Sequence, residues 1–460
     1  MICNFFERLL GATNVLQEEG DVDPYNTDWM GIFRGASRCV LRPESTEQVS
    51  AIVGHCFNGN LAVCPQGGNT GLVGGSVPVF DEIVLSTQRL NRHFQFDPLT
   101  GVAQCQSGWI LESMDQQLAE YGFMVPLDLG SKGSCNIGGN VSTAAGGLRL
   151  IRYGSLHANV LGLEVVLADK RGSVLDCGSA MRKDNTGLHL PHLFIGAEGA
   201  LGILTAVTLN CVPKPASINL AVLGCETFDK CCSILAQARD GLAEILSSFE
   251  FMDSATMSCV EENLKLSNPL PSPANFYVFV ETAGSNDEHD AEKLSDFLQI
   301  CLEKELAVDG VQSQSEDQRK KFWRVRESSA EALLRDGYCY KQDLSLPLDA
   351  YYKVTEVMRD RLKSTPAIRT VAYGHLADGN VHLNVTSAQY TTEVSERMYP
   401  WLYEWVAKHR GSISAEHGVG LLKRDYTHFS KSPESLNQTR KLKRFFDSKL
   451  LLNPYKIVKF

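Results

Sequence analysis

The stretch PQGGNTGLVGGS, from Pro65 to Ser76, has five glycines in twelve residues. Two further glycine-rich segments follow it, DLGSKGSCNIGGNVSTAAGG at 128–147 and FIGAEGALGILT at 194–205. Glycine leaves backbone N–H groups accessible, and it adopts the positive φ values that turn those groups toward a bound anion. One loop of this kind is adequately explained as a tight turn. Three of them between residues 65 and 205 predict a backbone surface that binds phosphate oxygens.

The familiar nucleotide-binding signatures are absent from the sequence. No GxGxxG opens a strand–helix–strand unit and no GxxxxGK[ST] occurs, so neither a Rossmann domain nor a P-loop is predicted. The formal net charge of -10 argues against a nucleic-acid-binding protein, whose surface should be basic. No apolar run of about eighteen residues predicts a transmembrane helix. The 14 cysteines are scattered, which is typical of reduced thiols inside a cell, and the N-terminus shows no transit peptide.

Strand-like and helix-like patterns alternate along the chain and predict an α+β fold. EIVLS at 82–86 and GILTAVTLN at 202–210 have the apolar, β-branched character of strands, whereas TEQVSAIVGHCFNG at 46–59 has helical periodicity. The prolines of VPKPAS at 212–217 predict a linker. The tail at 435–460 is predicted as a basic amphipathic helix that ends in Asn-Pro. The expected parts are a leader at 1–34, a cofactor-binding domain at 35–215, a second domain at 216–420 and a C-terminal segment at 421–460.

These glycine segments and the tail motif LNPYK resemble the FAD-binding domain of the vanillyl-alcohol oxidase and p-cresol methylhydroxylase type of flavoenzyme. With RYGSLHANVLGLEVVLAD at 152–169 and YGHLADGNVHLNV at 373–385, the whole pattern is similar to that of the D-2-hydroxyglutarate dehydrogenases. The resemblance covers nearly all of the chain from about Asp28. It implies an FAD-binding domain of two subdomains, an α+β cap domain with an antiparallel sheet, and a helical C-terminal segment that returns to the FAD.

The resemblance also implies which residues contact FAD. No histidine stands where related flavoenzymes attach the ring covalently, so non-covalent FAD is expected. One departure is Ala144, where Asn is expected, and a second is Ala330, where a hydroxyl residue is expected. The implied FAD contacts are Gly67, Gly68, Asn69, Thr70, Gly71, Gly74, Ser76, Gly138, Gly139, Gly199, Ile203 and Asn453.

Two histidines, His375 and His382, flank a Leu-Ala-Asp-Gly-Asn turn, and SAEHGVG at 414–420 supplies Glu416 and His417. Imidazole and carboxylate ligands suit Zn²⁺ and also Mn²⁺ or Co²⁺, and spacing alone does not bring the three residues together. The resemblance implies that His375, His382 and Glu416 bind the metal, with Zn²⁺ the expected ion. It further implies a chelated 2-hydroxyacid, His417 as the general base, and transfer of the C2 hydride to flavin N5.

Arg326 and Lys341 match family positions that hold substrate carboxylates. Asn384, two residues past His382, is expected on the same strand face, where it would add a hydrogen bond to the substrate. Two cations beyond the metal suit a five-carbon diacid, so D-2-hydroxyglutarate, oxidised to 2-oxoglutarate, is the expected substrate. For Arg326, the alternative is an arginine on a surface helix in an RxRES salt-bridge pattern. A D-lactate or glycolate dehydrogenase is the alternative function, and a metal-dependent hydrolase is a more distant one that leaves the glycine loops without a role. The resemblance implies an electron-transfer flavoprotein as acceptor and the mitochondrial matrix as location, with the cytoplasm as the alternative location.

Overall fold

A computed structural model describes residues 2–460, with side chains from Asn4 onward. The chain forms two compact units. Unit 1 comprises Met1–Gly146, Gly154–Lys214 and Glu416–Phe460, and unit 2 comprises Gly147–Tyr153 and Pro215–Ala415. The limits suggested at 34, 215 and 420 remain predictions. The assignment of Gly147–Tyr153 to unit 2 was not foreseen from the sequence.

Unit 1 contains a mixed sheet of order β1-β2-β4-β3, an antiparallel sheet of order β5-β6-β10-β8-β9, and the pair β7-β11. In the first sheet β2, β4 and β3 are parallel, and β1 is antiparallel to β2. The strands are β1 Val15–Leu16, β2 Val40–Leu41, β3 Val63–Gln66, β4 Ile83–Ser86, β5 Phe94–Asp97, β6 Val102–Gln106, β7 Phe123–Met124, β8 Val160–Val166, β9 Val174–Asp176, β10 Ile203–Asn210 and β11 Val212–Pro213.

Each main sheet of unit 1 has its own apolar core. Val49 and Ile52 of the helix Thr46–Gly59 pack with Leu85 of the mixed sheet, and Met114 of the helix Leu111–Ala119 packs with Val207 of the antiparallel sheet. The α-helices of unit 1 are Ile2–Leu10, Glu19–Asn26, Thr46–Gly59, Leu111–Ala119, Ile137–Thr143, Leu156–Asn159, Pro191–Phe194 and Pro433–Phe446, and the 3₁₀ helices are Ala12–Asn14 and Arg424–Phe429.

The tail is helical over only part of the predicted range. The helix ends at Phe446, and the chain from Asp447 to Phe460 is irregular. The Asp447 carboxylate accepts the N–H groups of Leu451 at 3.0 Å and Leu452 at 2.7 Å. These bonds turn the backbone away from a helical path, so the prediction of a tail helix that ends in Asn-Pro was wrong beyond Phe446.

Unit 2 is built on one seven-stranded antiparallel sheet of order β15-β12-β14-β13-β17-β18-β16. Its strands are β12 Ser217–Cys225, β13 Leu246–Asp253, β14 Phe276–Gly284, β15 Asp309–Gln312, β16 Tyr338–Ser345, β17 Arg369–His375 and β18 Asn380–Ser387. Its α-helices are Leu150–Tyr153, Phe228–Gly241, Ser254–Leu264, Asp287–Glu303, Glu316–Glu327, Ser329–Leu334, Leu348–Tyr351, Lys353–Leu362, Thr392–Met398 and Trp401–Lys408, and a 3₁₀ helix spans Leu376–Asp378.

One face of this sheet is divided into an apolar and a polar part. Val222, Met252 and Phe279 form a core with residues of the helices Ser254–Leu264 and Glu316–Glu327. Residues that face each other in an antiparallel sheet project to the same side, so the polar residues of β13, β16, β17 and β18 continue this face. Within residues 2–460, no helix has the length and apolar character needed to cross a bilayer.

Candidate functional site

The first glycine loop is held closed by its own polar side chains. It begins directly after β3, where Gln66 Nε2 donates to Ser76 O at 2.8 Å. Ser76 Oγ donates to Asn69 Oδ1 at 2.7 Å, and Asn69 Nδ2 donates to Thr27 O at 2.8 Å. Asn69 has a positive φ of 53°, a conformation that Asn tolerates better than most residues. Seven predicted flavin contacts lie in this loop: Gly67, Gly68, Asn69, Thr70, Gly71, Gly74 and Ser76.

The second glycine segment packs tightly against the first. A Cβ on Gly68 would lie 2.1 Å from Ser134 O, and a Cβ on Gly138 would lie 2.4 Å from Ser107 Cβ. By contrast, a Cβ on Gly71 or Gly139 would meet nothing within 4 Å. Gly68 therefore allows the two segments to approach each other, and Gly138 allows the second segment to approach Ser107. Gly71 and Gly139 border open space.

Two buried polar atoms near these segments have no hydrogen-bond partner among the residues that the structure describes. They are Ser107 Oγ and Asn136 Oδ1. Ser107 O accepts the Gly138 N–H at 2.8 Å, and Asn136 Nδ2 donates to Gly108 O at 2.9 Å, so both residues are anchored. A buried polar atom without a partner is costly unless a ligand or water satisfies it. These atoms and the open glycines fit the polar groups of a dinucleotide such as FAD.

The third glycine segment is fastened to the tail. Gly199 has a positive φ of 72°, and a Cβ there would lie 2.6 Å from Pro65 Cγ. Asn453 Nδ2 donates to Gly75 O at 2.9 Å and to Glu198 O at 2.8 Å. Asn453 thus links the first and third glycine segments. Ile203, the first residue of β10, is buried in the apolar core.

Glu198 also anchors the backbone that follows His417. Its carboxylate accepts the N–H groups of Val419 at 2.7 Å and Gly420 at 2.8 Å. Burial raises the pKa of Glu198, and these two N–H groups act in the opposite direction. Glu416 Oε1 and His417 Nε2 are 3.8 Å apart in the same segment of unit 1.

In unit 2, the turn between β17 and β18 brings His375 and His382 side by side. The ring centroids are 5.4 Å apart and the rings are nearly perpendicular, at 82°. Gly379, with a φ of 79°, ends the 3₁₀ turn between the strands. His382 lies opposite Tyr373, and His375 lies opposite Asn380. The two imidazoles therefore share one end of the sheet, as the quoted motif suggested.

A buried glutamate on the neighbouring strand contacts His375. Glu250 Oε1 lies 2.7 Å from His375 Nδ1, and Glu250 Oε2 accepts from Arg326 Nη2 at 2.6 Å. Arg326 is only 5% exposed, and its guanidinium lies 4.8 Å from the centre of the Tyr373 ring. The alternative of a surface arginine was therefore wrong, because Arg326 is buried.

A buried aspartate takes the corresponding position beside His382. Asp343 of β16 faces His382 in the sheet, with Oδ1 at 3.8 Å from His382 Nδ1. Its oxygens accept from Asn380 Nδ2 at 2.8 Å and from the Ala415 N–H at 3.0 Å. Glu416 is the next residue along the chain after Ala415.

Lys341 and Asn384 face each other one step further along β16 and β18. Asn384 is 1% exposed, and its Nδ2 donates to His382 O at 3.2 Å. Burial lowers the pKa of Lys341, and the neighbouring Cys339 thiol acts in the opposite direction. Lys341, Asn384 and the histidine pair thus line one polar face within unit 2.

Sequence reasoning missed Glu250 and Asp343. Both are charged residues within strands, in FEFMD at 249–253 and DLSL at 343–346, and both are fully or almost fully buried. A charged residue rarely occupies such a position without a partner. Applied to the sequence, that rule would have predicted a buried partner for both residues, although it would not have identified the histidines as those partners.

Two family models match the chain. A model described as an FAD binding domain matches residues 37–178, and a model described as the C-terminal domain of FAD linked oxidases matches residues 214–457. Both agree with the cofactor expected from the glycine segments.

The chain is also similar to characterised proteins over nearly its whole length. It is 51% identical over 444 residues to the protein of Bos taurus named D-2-hydroxyglutarate dehydrogenase, mitochondrial, with 96% of this chain and 81% of that one covered. It is 41% identical to the protein of Saccharomyces cerevisiae named D-2-hydroxyglutarate–pyruvate transhydrogenase, with 99% and 93% covered.

Among solved structures, p-cresol methylhydroxylase with substrate bound superposes with a TM-score of 0.80 at 18% identity, covering 99% of this chain and 96% of that one. This likeness concerns the fold alone. It confirms the predicted α+β fold of the p-cresol methylhydroxylase type.

Proposed function

Because the chain belongs to the FAD-linked oxidases, and among them to the D-2-hydroxyglutarate dehydrogenase family, we propose that it oxidises D-2-hydroxyglutarate to 2-oxoglutarate. It is an FAD-dependent oxidoreductase acting on a 2-hydroxyacid. The observation that carries the proposal is the polar face of unit 2. Two imidazoles and Lys341 stand there on neighbouring strands, and Arg326 of the helix Glu316–Glu327 reaches Glu250 of the same sheet.

We assign FAD, bound non-covalently, to the glycine segments of unit 1. The backbone of Gly71 and Gly139 borders open space, and Ser107 Oγ and Asn136 Oδ1 are buried atoms that a ligand can satisfy. Bound FAD supplies the two-electron acceptor for the hydride of the substrate. The role of the chain is to hold the FAD through backbone groups and to exclude water from the reacting carbon of the substrate.

We assign a divalent cation, with Zn²⁺ as the expected ion, to His375, His382 and Glu416. The imidazoles of the first two are adjacent, and Glu250 fixes the ring of His375 through its other nitrogen. The Ala415 N–H is bound to Asp343, which faces His382, and Glu416 follows Ala415 in sequence. Two imidazoles and a carboxylate suit Zn²⁺, and such a cation lowers the pKa of a chelated hydroxyl.

We assign the base to His417, which accepts the C2 hydroxyl proton. A neutral imidazole has one nitrogen with a lone pair that can accept a proton from a hydroxyl group, which is the chemistry that this step requires. The backbone after it is fixed because Glu198 holds the N–H groups of Val419 and Gly420.

We assign the carboxylates of the substrate to Arg326, Lys341 and Asn384. Arg326 is held at one nitrogen by Glu250, and its Nε is buried with no hydrogen-bond partner among the described residues. Lys341 lies in a setting that lowers its pKa, so a substrate carboxylate would favour its charged form. Two buried cations suit a diacid better than a monocarboxylate.

A second candidate is oxidation of D-lactate or glycolate at the same site. The name of the yeast relative includes pyruvate, the 2-oxoacid that corresponds to lactate. The hydrolase alternative has no support, because family membership gives the chain oxidoreductase chemistry.

The sequence has no NAD-binding signature, so the reduced flavin must pass its electrons to another acceptor. By family resemblance, we propose an electron-transfer flavoprotein. By family resemblance the location is mitochondrial, as the name of the bovine relative states, and we propose the matrix as the compartment.

Anaerobic flavin reduction tests these assignments. We expect D-2-hydroxyglutarate to bleach the flavin absorbance faster than D-lactate and the L-enantiomers, and chelation of the cation to stop the reaction. We expect His417→Ala to retain FAD and the cation but to lose about 10²- to 10⁴-fold in reduction rate. Faster bleaching by D-lactate would favour the second candidate, and an unchanged rate in His417→Ala would contradict the role of the base.

A further inference from the structure

Glu250 joins two residues that the proposed function places in different roles. Its side chain is 1% exposed, and each carboxylate oxygen has its own partner. Oε1 lies 2.7 Å from His375 Nδ1, and Oε2 accepts from Arg326 Nη2 at 2.6 Å. One carboxylate therefore contacts both the assigned metal ligand and the assigned carboxylate-binding arginine.

The sheet holds these groups in place. Glu250 of β13 lies directly opposite His375 of β17, and Met252 lies opposite Tyr373. The Arg326 guanidinium is packed 4.8 Å from the centre of the Tyr373 ring. Backbone pairing and ring packing thus fix the relative positions of the carboxylate, the imidazole and the guanidinium.

The chemistry of the contact decides which nitrogen of His375 carries the hydrogen. A carboxylate only accepts hydrogen bonds, so His375 Nδ1 must carry the hydrogen. In the neutral ring Nε2 then has the lone pair that a cation needs. Histidines that bind metals usually donate their second N–H to a carboxylate or a carbonyl in this way.

We propose that Glu250 is a positioning residue that fixes the tautomer of His375 and the orientation of Arg326, so that one carboxylate supports both cation binding and substrate binding. This rests on the proposed function, because it takes His375 as a cation ligand and Arg326 as a substrate contact. Glu250 acts through these two residues and is not itself a catalytic residue.

Glu250→Gln tests the proposal because an amide has one accepting and one donating end. In either orientation it satisfies one neighbour and points an N–H₂ group at an N–H of the other. We expect the affinity for Zn²⁺, measured against a competing chelator, to fall about 10- to 100-fold. We also expect KM for D-2-hydroxyglutarate to rise by more than kcat falls.

Glu281→Gln is the matched control. Glu281 is also a buried carboxylate, 2% exposed, on the adjacent strand β14. Its oxygens accept from Trp323 Nε1 at 3.0 Å and from Arg149 Nε at 3.3 Å. Glu281 is therefore a buried, hydrogen-bonded carboxylate like Glu250, but it does not contact His375 or Arg326. Its Gln variant should keep wild-type Zn²⁺ affinity and KM.

Two further variants separate positioning from general damage. Glu250→Asp keeps the buried negative charge but is one methylene too short to reach both partners, so it should lower Zn²⁺ affinity or raise KM while the protein stays folded with full FAD content. In an Arg326→Met background, Glu250→Gln should no longer change KM but should still lower Zn²⁺ affinity. If Glu250 had only a structural role, its substitution would change KM and the Zn²⁺ affinity together.

The outcomes distinguish the proposed role of Glu250 from the proposed function on which it rests. If the wild-type holoenzyme binds no Zn²⁺, both the cation site and the role of Glu250 are overturned. If the wild type binds one Zn²⁺, and Glu250→Gln matches Glu281→Gln in Zn²⁺ affinity and KM, only the role of Glu250 is overturned.

Discussion

At the scale of single residues, the burial of Lys341 has a consequence that can be measured. A lysine in water has a pKa of about 10.4, and burial lowers the pKa of Lys341. A carboxylate is bound well only by the protonated amine. As the pH rises through the lowered pKa, the free enzyme loses this charge, and its affinity for a dicarboxylate should fall.

We therefore expect KM for D-2-hydroxyglutarate to begin rising at a lower pH than the ordinary lysine pKa of about 10.4 would allow. Lys341→Met should raise KM by about 10- to 100-fold at neutral pH, since it removes a hydrogen bond to a charged group. The variant should also lose the rise of KM at alkaline pH. Steady-state KM measured at several pH values, with FAD content as the control, checks this. An unchanged alkaline rise in Lys341→Met would contradict the assignment.

At the scale of secondary structure, a buried lysine determines how the tail leaves its helix. Lys443 Nζ donates to Asp447 Oδ2 at 2.6 Å, to Ala200 O at 2.7 Å and to Leu452 O at 2.7 Å. Lys443 is 5% exposed and Asp447 is fully buried. The contact thus fastens the turn after the helix to the third glycine segment, close to Asn453.

Lys443→Met should loosen the segment 447–460, because it leaves the Asp447 charge buried without its cation. Breaking a buried pair of this kind costs about 3–5 kcal/mol. We expect faster amide hydrogen exchange in 447–460 and weaker FAD retention. Lys441→Met, at an exposed position of the same helix, is the control and should leave both unchanged. Equal exchange in the two variants would show that Lys443 does not hold the tail.

The same elements show how far sequence could predict the structure. The helix Thr46–Gly59 was found at its observed limits, because Ser45 caps its start and Asn60, in the left-handed region, ends it. The tail helix was extended too far because its end depends on the Asp447 side chain, which accepts the N–H groups of Leu451 and Leu452 and turns the backbone there. Glu250 was missed because its histidine lies 125 positions away.

At Ala144, where Asn was expected, the structure has φ 50°, a conformation that Asn tolerates better than Ala.

At the scale of the whole molecule, the site residues are distributed between two units that each have an apolar core. The glycine segments assigned to FAD lie in unit 1, and the histidine pair with Arg326 and Lys341 lies in unit 2. Sequence could predict the cofactor because the glycine segments are local. The pairing of strands in unit 2, which brings the histidines to Glu250 and Asp343, depends on long-range contacts that no local pattern contains.

This distribution predicts how FAD should affect unfolding. A ligand that binds only the folded state stabilises it by about 2.7 kcal/mol when its free concentration is 100 times Kd. Because the assigned FAD contacts all lie in unit 1, excess FAD should raise the melting transition that includes unit 1 by several degrees. A transition of unit 2 should be less affected. Calorimetry with and without added FAD, with tryptic fragments identifying the melted unit, measures this. A shift confined to unit 2 would contradict the assignment of FAD to the glycine segments.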